Sequence, residues 1–351
     1  MTNYSILFRA VSVALLAGAP GALPAWDYEG HRMINETALA SLPADFPAFV
    51  RTTANAERIA FLAGDPDRWR NTPDATFRQY NTLDHYINLE ELTDAGLDLG
   101  NLSPLRYTFA AQFAAGRAAH AGRFPSIDPD RNTDNTREWP GFLPWAITEY
   151  YGKLKSAFSC LKTFQEYGTP EEIANAEADV VDVMGVMGHY VGDGSQPLHT
   201  TVHFNGWVGD NPHGYTTSTS IHAWIDGGFI AKAGLVYADF ASQVKPAQPL
   251  AVAPRVDGRD PVFTAVMDYL RAQNAQVEPL YQLEQAGKLQ ADGPPGNPEG
   301  RAFIERQLLV GGEMLGSLWL TAWREAGPDT FLKTQLLRRR AQSAANAPLP
   351  R

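Results

Sequence analysis

Two pairs of a histidine and an aspartate stand four residues apart in this sequence. His189 and Asp193 lie in the segment HYVGDGSQPLHT, and His222 and Asp226 lie in SIHAWIDGGFI. Residues four apart on a helix share one face, so each pair can direct an imidazole and a carboxylate at one point. Zn²⁺ accepts both kinds of ligand at about 2.0–2.2 Å. Each pair therefore predicts part of a metal site, although solvated helix faces carry the same spacing by chance.

Further candidate ligands surround these pairs. His199 follows the first pair through the turn GSQPL, Asp65 stands at a helix break, His85 lies in DHYINLE, and His31 lies near the first helix. The single cysteine, Cys160, excludes an intrachain disulfide and any multi-cysteine zinc site. The residues alone thus predict a site of several histidines and carboxylates. Such ligands suit catalytic zinc better than structural zinc.

The charge of the chain limits its partners. A net charge of −10 argues against binding nucleic acid or anionic membranes by bulk electrostatics. Bound cations, however, supply local positive charge that a count of residues misses. An enzyme that binds phosphodiesters through metal ions therefore remains compatible with the composition.

The elements that must position these residues are predicted to be helices. Apolar residues recur at the helical period along most of the chain, and strand signals are few. Thr169, followed by proline and by Glu172, is typical of a helix start. Loops rich in Pro, Gly, Asn and Asp separate the helices and include a long one at 122–140. We expect one all-α domain, with helices over 30–42, 55–70 (broken at 64–66), 105–121, 140–167, 169–190, 219–240, 260–285 and 300–326.

Both ends of the chain are predicted to lie outside this domain. A basic flank, a short apolar core and small residues ending at Ala25 predict a signal peptide over 1–25. Cleavage between Ala25 and Trp26 would give an exported protein, periplasmic or secreted, with no transmembrane segment. The domain would then span 26–335. The basic and then Ala- and Pro-rich segment 336–351 is predicted to be a disordered tail.

The order of these residues resembles one superfamily of trinuclear zinc phosphodiesterases. Its members are the single-strand-specific nucleases of the mung-bean and fungal type and the bacterial zinc-dependent phospholipases C. The segment GDGSQPLH is similar to that family's Gly-Asp-x-x-Gln-Pro-Leu-His pattern. The matching positions span two hundred residues and are Trp26-x4-His31, Asp65-x2-Arg68, His85-Tyr86-Ile87, His189-x3-Asp193-x5-His199 and His222-x3-Asp226.

The resemblance implies three zinc ions held in a cleft of a helical domain. It assigns the first ion to Asp65, His85, His189 and Asp193. It assigns the second to the freed amine and carbonyl of Trp26, with His31 and the bridging Asp193. It assigns the third to His199, His222 and Asp226.

The resemblance also implies roles in catalysis. Asp65 and Asp193 would hold the ions that present hydroxide, and Arg68 would hold a non-bridging phosphate oxygen. An arginine on a helix surface paired with a nearby acid is the alternative for Arg68. Tyr86 is a candidate to stack on a base. Asn88 stands where the nucleases carry an acid for base recognition.

Three functions follow as hypotheses. The first is a zinc-dependent endonuclease that hydrolyses single-stranded DNA and RNA, for which Asp226, rather than glutamate, is the better match. The second is a phospholipase C acting on phosphatidylcholine-like lipids, and Asn88 argues in its favour. The third is an exported helical metal-binding protein without turnover. No stable protein partner is inferred.

Overall fold

The structure is a computed structural model that describes residues 26–345. Within this range it is built from helices, and no strand is found among the described residues. The predicted signal peptide, residues 1–25, lies outside this range. The α-helices, numbered in chain order, are α1 (Tyr28–Ser41), α2 (Thr53–Leu62), α3 (Asp65–Arg70), α4 (Ala75–Leu83), α5 (Leu89–Asp94), α6 (Arg106–Ala119), α7 (Leu143–Tyr167), α8 (Pro170–Ser195), α9 (Ile221–Ala223), α10 (Phe229–Ala233), α11 (Pro261–Asn274), α12 (Val277–Gln285), α13 (Pro298–Glu325) and α14 (Thr330–Ala345).

The long helix α8 lies at the centre of the packing. It begins at a capping box in which the Thr169 hydroxyl accepts from the Glu172 amide and the Glu172 carboxylate accepts from the Thr169 amide, as the sequence predicts. Helices α1, α2, α7 and α13 pack around it. Its residues from Met184 to Ser195 are all buried. The candidate ligands His189 and Asp193 are therefore carried by the most enclosed part of the fold.

Small residues let α1 approach α8 closely. Asn35 of α1 is buried, and its Nδ2 donates to the carbonyl oxygens of Ile59 (2.8 Å) and Gly185 (3.1 Å). A Cβ on Gly188 would lie 1.7 Å from the Asn35 Oδ1 atom. Only glycine fits at this position, so the distance between the two helices is set by the absence of a side chain.

The structure confirms one all-α domain and most of the predicted helices, but it corrects three predictions. The segment 219–240 holds two short helices, α9 and α10, joined by a π-helical turn over Trp224–Gly228. The segment 260–285 is two helices because α11 ends at Asn274. The tail is helical through Ala345 and not disordered from 336: Leu336 is buried, and Arg339 forms a bidentate ion pair with Glu172. Residues 346–351 lie outside the described part.

No helix in the described range is both long enough and apolar enough to span a bilayer.

We expect Gly188→Ala to lower the free energy of unfolding by about 1–3 kcal/mol, because the added methyl group must displace Asn35 or separate α1 from α8. Gly152 of α7 offers a matched control, since it is exposed and a Cβ there would meet nothing within 4 Å. Gly152→Ala should be neutral or stabilise by about 0.5–1 kcal/mol. Urea denaturation followed by circular dichroism measures both. Equal stability of the two variants would contradict the close contact.

Candidate metal centre

Within residues 26–345, three groups of buried or partly buried histidines and aspartates each have one ligand atom per residue within 4.8 Å of the others. The first and second groups share His189 of α8. His31 comes from α1, His85 from the turn after α4, and Asp67 from α3. The groups are His31, Asp67 and His189; His85, His189 and Asp193; and His199, His222 and Asp226.

The carboxylate of Asp193 connects the first two groups. It is fully buried, and its two oxygens face different histidines. Its Oδ1 lies 3.4 Å from the His31 Nε2 atom. Its Oδ2 lies 3.0 Å from the His85 Nδ1 atom and 3.3 Å from the His189 Nε2 atom. A carboxylate with one oxygen on each side has the arrangement that a bridge between two metal ions requires.

Backbone carbonyls fix the orientation of two imidazoles. The His189 Nδ1–H donates to the Ala63 carbonyl oxygen (2.7 Å), and the His199 Nδ1–H donates to the His85 carbonyl oxygen (2.6 Å). In a neutral ring Nε2 is then the unprotonated nitrogen, the one that can bind a metal, and it faces a second histidine: His85 Nδ1 lies 2.9 Å from His189 Nε2. Outer hydrogen bonds of this kind select the tautomer and the ring orientation of metal ligands.

The third group forms where α8 ends and the π-helical turn begins. His222 Nε2 lies 2.9 Å from His199 Nε2 and 3.2 Å from Asp226 Oδ2. Gln196 Nε2 donates to the other carboxylate oxygen, Asp226 Oδ1 (2.7 Å). Gln196 therefore turns the second oxygen of Asp226 towards the two histidines. A π turn inside a helix is a common feature of functional sites.

Several polar atoms of these groups lack a hydrogen-bond partner, and a metal would satisfy those that face one another, such as His31 Nε2 and Asp193 Oδ1. Buried side-chain atoms without a hydrogen-bond partner are costly, so natural proteins contain few of them. Within residues 26–345, such atoms occur in five of the candidate ligands. They are both ring nitrogens of His31, Oδ1 of Asp67, Nε2 of His85, both oxygens of Asp193 and Oδ2 of Asp226.

The protonation states also suit metal binding, which needs neutral imidazoles and charged carboxylates. Burial, followed by the charge on His189, lowers the pKa of His31 to about 4. Burial, followed by the charge on Arg70, lowers the pKa of His85 to about 3. Burial opposes ionisation of Asp193, but His189 and His199 outweigh it and hold the pKa of Asp193 well below its usual value.

The pKa values of two side chains, His189 and Asp226, deviate from this pattern. Burial lowers the pKa of His189, but Asp193 and Asp67 outweigh burial and raise it. Burial raises the pKa of Asp226 well above its usual value. A cation bound beside either group would favour its deprotonated form.

Trp26, predicted to be the first residue of the processed chain, is fully buried beside these groups. Its Nε1–H donates to Ser195 Oγ (2.9 Å), two residues after Asp193. The next amide, from Asp27, donates to the carbonyl oxygen of Asp226 (3.0 Å). The backbone at Trp26 is thus anchored next to two candidate ligands.

Among the described residues, the three groups contain Asp67 in place of the predicted Asp65. Asp65 and Arg68, whose side chains are 23% and 49% exposed, form an ion pair with each other. The inner face of α3 carries Asp67 and Arg70, whose side chains are 13% and 7% exposed. Asp67 Oδ1 lies 2.9 Å from Arg70 Nε, and the two side chains form an ion pair. The same Oδ1 lies 4.0 Å from His85 Nδ1 and 4.0 Å from His189 Nε2.

The sequence contains the signal for both possibilities. The segment DPDRWR holds two overlapping copies of an aspartate followed three residues later by an arginine. Asp65-x2-Arg68 and Asp67-x2-Arg70 match the spacing equally well. The direction in which α3 turns after the break at Gly64 decides between them. Spacing alone carries no information about that direction.

The predicted substrate contacts have partners within the fold. Tyr86 is half-buried, and its ring and carbonyl pack against Gly141. Asn88 is buried; its amide donates to the Pro140 carbonyl oxygen (2.6 Å), and its carbonyl oxygen accepts from the Glu91 amide (3.1 Å). Contact of Tyr86 or Asn88 with a substrate stays a prediction.

No protein-family model matches the chain, and no curated protein or solved structure is significantly similar to it. The interpretation of the three groups as a metal centre thus depends on the residues and their geometry.

Asp67 and Asp65 give a matched pair of substitutions. We expect Asp67→Asn to reduce the metal retained after dialysis, because it removes a charge that faces two candidate ligands. Asp65→Asn should leave the metal content unchanged. Elemental analysis of purified protein measures both, and circular dichroism verifies folding, since Asp67→Asn also leaves Arg70 without its ion-pair partner. Loss of metal in Asp65→Asn alone would instead support Asp65 as the ligand, as the sequence predicts.

Proposed function

We propose that the chain is an exported zinc-dependent phosphodiesterase that hydrolyses single-stranded nucleic acid. The observation that carries the proposal is the Asp193 carboxylate, which presents one oxygen to His31 and the other to His85 and His189. The resemblance of the ordered ligand positions to the trinuclear zinc phosphodiesterases supports it. Asp67 replaces Asp65 in that set.

Zinc is the metal that we propose, and three is the number of ions. All candidate donors are imidazoles, carboxylates and one terminal amine, and no cysteine takes part, which suits zinc in a catalytic role. The proposed first ion is held by Asp67, His85, His189 and Asp193. The second is held by Trp26, His31 and Asp193, and the third by His199, His222 and Asp226.

When bound, zinc would supply a Lewis acid that polarises the phosphoryl oxygens and makes water acidic enough to attack at neutral pH. Asp193 would hold two ions at a fixed separation. Gln196 and the backbone carbonyls of Ala63 and His85 would keep their partner side chains in the binding orientation. The protein therefore supplies an ordered set of donors that needs little rearrangement.

Arg70 takes the role that the sequence predicts for Arg68. Its charge is permanent and buried. Burial is the main cause that lowers the pKa of His85 and of His222, and the charge on Arg70 adds to the lowering in both. Its ion pair with Asp67 orients that carboxylate. A positive charge at this point favours the binding of an anionic phosphodiester.

One preparation tests the proposed function. Protein purified after natural export should contain about three zinc ions per chain and hydrolyse single-stranded DNA and RNA. Removing the metal with a chelator should abolish hydrolysis and lower the melting temperature, because binding only to the folded state stabilises it; zinc should restore both. Phosphatidylcholine is assayed in parallel. Lipid turnover without nucleic-acid cleavage would replace the nuclease by a phospholipase C, and metal binding without any turnover would leave a metal-binding protein.

The free amine of Trp26 gives a second test. A form that retains Ala25 lacks this amine, so we expect it to hold about one zinc ion fewer and to lose most of its activity. A form starting at Trp26, prepared identically, is the control. N-terminal sequencing and zinc analysis of both forms make the comparison. Equal zinc content and activity would remove Trp26 from the proposed site.

A further inference from the structure

A pair of exposed aromatic rings lies on the surface next to the metal centre. Tyr28 is the first residue of α1 and Phe61 lies near the end of α2, and both are more than a third exposed. Their ring centroids are 6.5 Å apart in an edge-to-face arrangement. Exposed aromatic rings in contact with each other are typical of binding surfaces.

Arg68 completes this surface. Its guanidinium carbon lies 4.7 Å from the Phe61 ring centroid and 5.8 Å from that of Tyr28. Arg58, also half-exposed, lies 5.9 Å from the Phe61 ring centroid. Arg32 Nη1 donates to the Tyr28 hydroxyl oxygen (3.2 Å). We call Tyr28, Phe61 and Arg68 the aromatic–arginine platform.

The platform is continuous with the metal centre through the backbone. The Tyr28 ring packs against Gly64, where a Cβ would lie 2.6 Å from the Tyr28 Cδ2 atom. The residue before Gly64, Ala63, accepts the hydrogen bond from His189. On the other side, the residue before Tyr28, Asp27, is hydrogen bonded to Asp226. Tyr28 therefore directly follows Asp27, which is hydrogen bonded to one candidate ligand, and packs against the neighbour of Ala63, which is hydrogen bonded to another.

We propose that the aromatic–arginine platform binds the part of a single-stranded nucleic acid that flanks the scissile phosphodiester. The inference rests on the proposed function and adds a second contact zone to it. Aromatic rings and the guanidiniums that lie over them accept a base of any identity by stacking, and the arginines take the adjoining phosphate. The platform therefore binds strands without selecting their sequence.

The ion pairs of the arginines are compatible with this role. Arg68 is paired with Asp65 and Arg58 with Asp182, and all four side chains are partly exposed. Ion pairs of this kind contribute little to stability, so a phosphate can replace the carboxylate at small cost. The −10 net charge of the chain does not prevent binding, because the contact depends on stacking and on arginines that exchange a carboxylate for a phosphate.

The test compares Phe61→Ala and Tyr28→Ala with Tyr107→Ala, an exposed aromatic residue on α6 that serves as control. Fluorescence anisotropy measures the affinity for a phosphorothioate oligonucleotide of about 12 nucleotides, which resists cleavage. We expect each platform variant to bind about five- to 100-fold more weakly, and Phe61→Trp to keep the affinity. Tyr107→Ala should bind like the unmodified protein.

Kinetics separate binding at the platform from general damage. The ratio of kcat/KM on the oligonucleotide to kcat/KM on a phosphodiester without bases should fall in the platform variants, because a substrate without bases has nothing to stack on the platform. An equal loss on both substrates, or unchanged oligonucleotide affinity, would overturn the proposal. So would a platform variant that loses affinity for phosphatidylcholine vesicles alone. If the protein cleaves no phosphodiester, the proposed function fails, while the anisotropy measurement still decides about the platform.

Discussion

A carboxylate in a protein interior must be matched by positive charge or by hydrogen bonds, and much of this molecule is organised around one such group. Asp193 lies near the end of α8 with no exposure to solvent. The residues that face it come from distant parts of the chain: His31 from α1, His85 from the turn after α4, and His189 from α8 itself. Each of these elements has to reach its place before the three rings surround the carboxylate.

Both the helix packing and the candidate metal centre depend on glycines of α8, where no side chain takes up space. Gly188 admits Asn35, which ties α1 to the end of α2, and Gly192 admits the His31 ring, since a Cβ there would lie 2.8 Å from its Nδ1 atom. One glycine thus sets the approach of the helices, and the other sets the position of a candidate ligand. The core and the centre are therefore not separable layers, and a change in the contact between α1 and α8 moves His31.

The sequence predicts the features that depend on local periodicity. It misses those that depend on the direction in which a helix leaves a turn or on a contact with a remote residue. The all-α domain, the cap at Thr169 and the pairs at His189 and His222 follow from spacing, and the structure contains them. The choice between Asp65 and Asp67 depends on how α3 emerges from the break at Gly64. The helical tail depends on a remote partner, because Arg339 meets Glu172 across 167 residues of sequence.

The distribution of ligands along the chain affects how metal and folding are coupled. His189–Asp193 and His222–Asp226 are local pairs, which a chain with only helical turns formed can already present. Asp67 and His31 join them only when tertiary structure is complete. An incompletely folded chain would therefore retain some affinity for a metal that binds at these groups. Because affinity for the unfolded state subtracts from stabilisation, such a metal would stabilise the fold by less than the strength of the complete centre implies.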